Sequence, residues 1–483
     1  MRSTTCTPGS PQSLRLIWMD LVVVAVAATA ARMILLWGTE PALYWDSDTY
    51  LGIARYILAH GHPPFLRMRL PGYPLFILLS GGFHFNLTST VFFQHILGVL
   101  TTIFLYLAIL TMIRNRPVAL IGALVLATMP DILFMEVTVY AETLAICSVA
   151  CATWLFAAAV IGTAGPGRWA MLGVVTAFGA WTRPTLALLI PIMGFGVFLS
   201  EFYAPRATTP QTAPVAAKTR TMLRPLGFFL VPPILLIGGT IAANGLWGGS
   251  YRLANGMGFS SLNFVGRPEV YRHLPPDLQW VTRVYGKKEN QVRFGYIQWD
   301  VVLHPLLDAR KQQGLPTSDW DRAALDTALR VARARPNAYL RIWSRTLLAY
   351  WGDYGLLFGP WKTERAAGDP ARLQVTETQW AIALALRTVW MRLQPVLSVL
   401  CFLSLPLVLL DRRWDERRRL VIVVIWSSTL LYSLASTAIE SAVGQPRYRM
   451  PFVAPIVLLA TVALVSVLTV LKQLAIRAKT AFG

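Results

Sequence analysis

Apolar runs of about the length that crosses a bilayer, roughly 17–25 residues each, recur along this chain at about 17–37, 90–113, 118–135, 138–161, 168–182, 184–200, 225–247, 388–410, 420–437 and 451–472. No single soluble domain can bury that many. Composition agrees: 55% of the 483 residues are hydrophobic and 14% charged, against about 25% charged in soluble proteins. The runs are continuous, so they predict helices and exclude a membrane barrel, whose strands alternate. The sequence therefore predicts an all-α polytopic membrane protein of about ten to twelve spans, on a criterion of roughly 20 apolar residues per span.

Lys and Arg outnumber Asp and Glu by 44 to 24, a net charge of +20. In a soluble chain that excess would suggest nucleic acid. Here most of it falls in the connections around Arg114 and Arg116, Arg168, 206–224, 412–419 and 472–479, which lie on one side if the ten spans are right. Basic loops mark the cytoplasmic side. Both termini are then expected in the cytoplasm, and the inner membrane of a bacterium is the expected location. Two large segments, 38–89 and 248–387, remain for the outer face. The chain divides accordingly into an N-terminal transmembrane module that includes the loop 38–89 (1–247), an extracytoplasmic lobe with an interfacial helix (248–387), and C-terminal transmembrane helices (388–483).

Several details refine this outline. Residues 201–223 are rich in Ala, Pro and Thr and read as a linker. Asp321 to Arg335 is an amphipathic stretch interrupted by Pro336. Residues 339–358 are aromatic and apolar, and span parity favours a helix lying on the membrane surface; if they cross, 376–392 must cross too. The four cysteines form no disulfide framework and no metal-spacing cluster. His60 and His62 alone are a weak metal signal. No inverted repeat of the transporter kind is visible.

Chemistry concentrates just after the first span, in Tyr44-Trp45-Asp46-Ser47-Asp48-Thr49-Tyr50 and then Arg69-Leu70-Pro71-Gly72-Tyr73-Pro74. Carboxylates beside guanidinium groups at a membrane edge suit removal of a proton near a phosphate-bearing lipid. Glu142 opens another span, and intramembrane acids are costly and functional by default. Asp131 and Glu136 are expected in a solvated outer turn. Arg183, followed by Pro184, and Arg447 and Arg449, before Pro451, fall at predicted outer edges. An arginine at such an edge can also simply snorkel to the headgroups.

These segments, with Tyr140-Ala141-Glu142-Thr143-Leu144, Trp181-Thr182-Arg183-Pro184-Thr185 and Arg447-Tyr448-Arg449-Met450-Pro451, resemble the GT-C membrane glycosyltransferases. The pattern is similar to protein O-mannosyltransferase-like enzymes and lipid A aminoarabinose transferases. The resemblance implies a GT-C-like fold with a small extracytoplasmic lobe. It also implies inverting transfer of a hexosyl or pentosyl group from a polyprenyl-phosphate donor to an acceptor hydroxyl on a glycolipid, glycan or protein, at the outer face. By that resemblance Asp46 is the catalytic acid, four residues before Tyr50. Asp48 and Glu142 support it, and Tyr50, Arg69, Tyr73, Arg183, Arg447 and Arg449 bind substrate. Ser47 stands where relatives often carry a second acid, which leaves the role of Asp48 open. So is metal use: no cofactor is specified, and a divalent metal is left open. A transporter or flippase of lipid-linked glycans, or a glycan polymerase or ligase, is the competing expectation.

Overall fold

The computed structural model describes residues 11–43, 45–81, 84, 86–162, 165–202, 215–286, 299–317, 319–352, 376–439 and 446–482. Among them the secondary structure is helical, apart from one isolated parallel bridge between Ala42 and Thr138. The chain is an all-α polytopic membrane protein. Each of the ten apolar runs is largely helical, although 118–135 is divided between two helices and 138–161 becomes helical only from Glu142. Seven of these helices are long and apolar enough to cross a membrane, or eight if one bent pair counts as a single span.

The first is α1 (Pro11–Leu36), and the short helices α2 (Trp45–His60) and α3 (Gly72–Gly81) follow it before α4 (Leu87–Ile113). The Asn86 side chain accepts the Ser89 N–H and caps α4, which satisfies one of the donors every helix start leaves open. Asn115 does the same for α5 (Arg116–Ala127). The run expected at 118–135 is broken: α5 ends before Pro130, and α6 (Pro130–Val137) leaves at 51°. Proline has no N–H to continue the helix, but it fits the first turn of a new one. Then come α7 (Glu142–Ile161), α8 (Pro166–Thr182) and, after a 3₁₀ turn over Pro184–Leu188, α9 (Leu189–Ser200). Both α8 and the Pro184–Ser200 unit are short for a span.

The span Leu223–Gly248 includes a π-helical turn, Ile234–Gly238, just after Pro232 and Pro233. In the lobe a second buried cluster gathers apolar side chains such as Phe264, Tyr271, Trp280, Val281 and Leu306. The amphipathic stretch is the helix Trp320–Ala334, and Pro336 starts the next one, Pro336–Gly352, instead of merely ending the first. Of the expected surface segment 339–358, residues 353–358 lie outside the described residues. Segment 376–392 is no separate crossing. It forms the first half of one 34-residue helix, Glu377–Leu410, started by a Thr376/Gln379 capping box.

Two close approaches place the segment between α1 and α4. Ala42 donates to Val137 O at 2.8 Å and accepts from Val139 N–H at 3.0 Å, which ties the chain before α2 to the chain before α7. At the start of α3, a Cβ on Gly72 would lie 2.7 Å from the Trp181 carbonyl oxygen. Only glycine lets the two backbones meet there, and the contact brings Arg69 to the end of α8.

Candidate active site

The first turn of α2 presents Asp46, and successive residues turn by about 100° around a helix. Tyr50, four residues on, therefore shares its face, and Asp48 points away. Asp46 Oδ1 meets Arg69 Nη2 at 2.7 Å. The Arg69 guanidinium also lies over the Tyr50 ring, 5.4 Å from its centroid, a favourable cation–π arrangement. Tyr50 meets Tyr73 edge-on at 4.9 Å. Asp48 is exposed and has no ion pair among the described residues.

A second ion pair stands beside the first. Arg183, at the end of α8, donates from Nη1 to Glu142 Oε1 at 3.1 Å. Arg183 also lies 5.2 Å from the centroid of the Tyr448 ring, so the C-terminal motif closes over it. The phenol of Tyr50 registers both pairs. Burial pushes its pKa up to about 12, Arg69 and Arg183 pull it down, and Glu142 and Asp46 push it up. Asp46, Tyr50, Arg69, Tyr73, Glu142 and Arg183 thus converge, although their separation in sequence is large.

The remaining expected residues fare differently. Arg449 is fully buried and donates to the carbonyl oxygen of Tyr350, joining the last span to the helix Pro336–Gly352. The side chains of Trp45 and Arg447 lie outside the described residues, as does Tyr44. His60 and His62 are exposed; His60 stacks on Tyr56 and His62 on Phe65. Among the described residues, no three His, Cys, Asp or Glu side chains gather as a metal-ligand set.

Asp131 and Glu136 are not solvated; both are fully buried. Arg32 of α1 grips Glu136 with two hydrogen bonds, Nε to Oε2 at 2.8 Å and Nη2 to Oε1 at 2.6 Å. His95 Nδ1 lies 2.9 Å from Oε2. Gly98 leaves room for this: a Cβ there would fall 1.9 Å from Glu136 Oε1. Next to it Gln94 donates from Nε2 to the carbonyl oxygens of Glu136 and Thr138, at 2.7 and 2.9 Å, and its Oε1 accepts from Tyr73 O–H at 2.7 Å. One amide thereby links the Tyr73–Tyr50 side of the site to the backbone that leads into Glu142. Sequence reading passed over Gln94 and His95. Their signal was available in the polar residues set inside an apolar run, which are costly unless partnered.

Residues 71–212 match the family model described as dolichyl-phosphate-mannose-protein mannosyltransferase. No curated protein matches significantly. Among solved structures, the chain is similar to the oligosaccharyltransferase AglB of Archaeoglobus fulgidus in complex with an inhibitory peptide and a dolichol-phosphate. That similarity has 14% identity and a TM-score of 0.46, over 98% of this chain and 53% of that one. The Archaeoglobus fulgidus oligosaccharyltransferase in complex with zinc and sulfate matches at 14% identity and a TM-score of 0.44, over 96% and 50%. This chain spans about half the length of both.

Proposed function

We propose that this chain, a GT-C superfamily membrane protein in which residues 71–212 carry the family match, is an inverting glycosyltransferase that takes its sugar from a polyprenyl-phosphate donor. The acceptor is a hydroxyl on a glycolipid, glycan or protein, and the reaction runs at the outer face of a bacterial inner membrane, with both termini in the cytoplasm. The observation that carries the reading is the Asp46–Arg69 ion pair on the Tyr50 face of α2, beside the Glu142–Arg183 pair. An alcohol is a weak nucleophile at neutral pH. In this reading its oxygen attacks the anomeric carbon from the face opposite the phosphate while Asp46 accepts its proton, help worth roughly 10²- to 10⁴-fold. The bond from the anomeric carbon to the phosphate oxygen breaks, and the electron pair leaves with the phosphate.

That phosphate needs no proton but gains charge, and planar guanidinium groups suit it. Arg183 serves, held in place by Glu142 and Tyr448; Arg69 steers the Asp46 carboxylate and faces the same charge. Tyr50, buried and neutral far above physiological pH, walls the site without adding charge. The dolichol-phosphate bound to AglB accords with a lipid-phosphate substrate.

The test uses membranes containing the wild-type chain or Asp46→Asn, supplied with a purified polyprenyl-phosphate sugar and membrane lipid acceptors, with transfer followed by mass spectrometry. Transfer by the wild type and its loss in the variant is the expected result. Transfer at the wild-type rate by Asp46→Asn removes the assigned base. Movement of intact donor across the membrane with no bond broken would make the chain a transporter instead.

A further inference from the structure

The end of the bundle away from Asp46 holds charges with no part in the proposed sugar transfer. There α4, about 40 Å long at 1.5 Å per residue, ends at Arg114, α9 ends beside Glu201, and the span Glu416–Ala438 begins. Several arginines at that end are answered by an acid. Arg116 pairs with Asp20 at 2.7 Å, Arg413 donates from Nε to Asp411 Oδ1 at 2.8 Å, and Glu201 attracts Arg417.

Arg418 is answered only in part. Its side chain is 15% exposed and Nη1 donates to Asp415 Oδ2 at 2.8 Å, but Nε and Nη2 are shut from solvent and meet no acceptor among the described residues. The same holds for Nε of Arg419, whose Nη2 donates to the Asp411 carbonyl oxygen at 3.1 Å. Arg114 is exposed, forms no ion pair among the described residues, and lies near enough to Arg418 to repel it. Backbone geometry adds to the excess. Arg114 closes α4 with a φ of +55°, a left-handed conformation that usually falls to Gly or Asn. Arg417, Arg418 and Arg419 stand in the first turn of the helix Glu416–Ile439, where the helix dipole disfavours cations. Buried N–H groups without acceptors are rare and unfavourable, and here they coincide with like charges held close together. One negatively charged group seated between Arg114 and Arg418 would relieve all three conditions.

The surroundings indicate what carries that charge. Arg114 follows the apolar span Leu87–Ile113 and Arg418 opens the span Glu416–Ala438, so both guanidinium groups sit near the depth of lipid headgroups. The contact of Arg419 with the Asp411 carbonyl brings the end of the helix Glu377–Leu410 beside the cluster, and Leu409 and Leu410 are exposed there. Trp414 donates from Nε1 to Ser466 Oγ at 3.3 Å and pins the intervening turn to the last helix. Basic clefts between spans suit anionic headgroups, and the exposed leucines beside this one suit acyl chains.

We propose that Arg114, Arg418 and Arg419 form a binding site for the phosphodiester headgroup of an anionic membrane lipid, whose acyl chains lie along Leu409 and Leu410. The phosphate accepts from Arg114 and, once the guanidinium turns outward, from Nε and Nη2 of Arg418. A lipid bound there staples the α4–α5 turn to the turn before the span Glu416–Ala438. The site is separate from the Asp46 pair and independent of the transferase reading.

Native mass spectrometry of the full chain in detergent, titrated with phosphatidylglycerol or phosphatidylcholine, tests the site. One phosphatidylglycerol is expected to bind about tenfold more tightly than phosphatidylcholine, as two or more nearby arginines would give. Arg114→Gln and Arg418→Gln should each weaken it several-fold. Lys472→Gln, on the exposed end of the last helix, should not, and millimolar inorganic phosphate should not displace the lipid. Equal affinity for the two lipids, or an equal loss with Lys472→Gln, leaves only diffuse surface charge and overturns the proposal; displacement by inorganic phosphate makes this a soluble-anion site and overturns it too. Thermal unfolding separates binding from folding. Phosphatidylglycerol should raise the melting temperature of the wild type by several degrees and that of Arg114→Gln by much less, the two being alike without lipid. An equal rise in both proteins refutes the site.

Discussion

Two groups of charges sit a few turns apart in this protein and are built in opposite ways. Around Glu136 the carboxylate is 0% exposed and Arg32 4%, and Arg32 grips both carboxylate oxygens while His95 reaches one of them. Asp46 and Arg69 pair at 2.7 Å and remain 26% and 29% exposed; Glu142 and Arg183 are intermediate, at 8% and 11%. A buried ion is stable only when its partners are complete, so the Glu136 group has no bond to spare. A half-open pair can exchange partners at little cost. Burial separates the two groups: the Glu136 charges are closed off between helices, and the Asp46–Arg69 pair is open enough for the role proposed for it.

Substitutions can break that contrast or sharpen it. The largest expected effect is catalytic: Asp46→Asn lowers the transfer rate roughly 10²- to 10⁴-fold and leaves the unfolding midpoint in detergent unchanged. A large loss of stability instead would put Asp46 in the same class as Glu136. Glu136→Leu should do the reverse and destabilise the chain by about 3–5 kcal/mol, because it leaves Arg32 buried and unpaired; Arg32→Met together with Glu136→Leu should recover most of that. Unfolding followed by tryptophan fluorescence measures both.

Gly72→Val tests how the site is spaced. Its side chain must push against the Trp181 backbone, at a cost of about 1–3 kcal/mol, and transfer should fall as Arg69 moves relative to Arg183. Tyr73→Phe removes only the hydroxyl that Gln94 accepts. A loss of about 0.5–1.5 kcal/mol is expected, seen as a small drop in melting temperature. The smallest effect belongs to Asp48→Asn. On the outward face of α2, it should keep its transfer rate to within about twofold, as surface substitutions usually do. A large loss there would place Asp48 in the catalytic set beside Asp46.

Much of the architecture was legible because bilayer thickness sets span length directly, and the apolar runs became helices, seven of them long enough to cross among the described residues. The break before Pro130 and the fusion of 376–392 with 388–410 were harder to read. Each turns on one residue's backbone chemistry, a proline in the first case and the Thr376 cap in the second. The convergence of Asp46, Arg69, Glu142 and Arg183 could be named from motifs, but their pairing could not. It depends on how closely α3 and α8 approach at Gly72, and nothing local in the sequence encodes that. Glu136 was misread for a related reason: beside an outer turn it resembles a solvated acid until α1 and α4 supply Arg32 and His95.

The ring of Tyr448 over Arg183 has a consequence for biogenesis. Synthesis runs from the N-terminus at roughly 5–20 residues per second, so Tyr448 is made on the order of 20–80 s after Asp46. Through that interval the early spans can insert and the segment between α1 and α4 can fold against them. Arg183, however, still lacks the ring that closes over it. The proposed site is therefore completed only as the last helix threads into place, and a truncated or stalled chain would hold the Glu142–Arg183 pair without its cover.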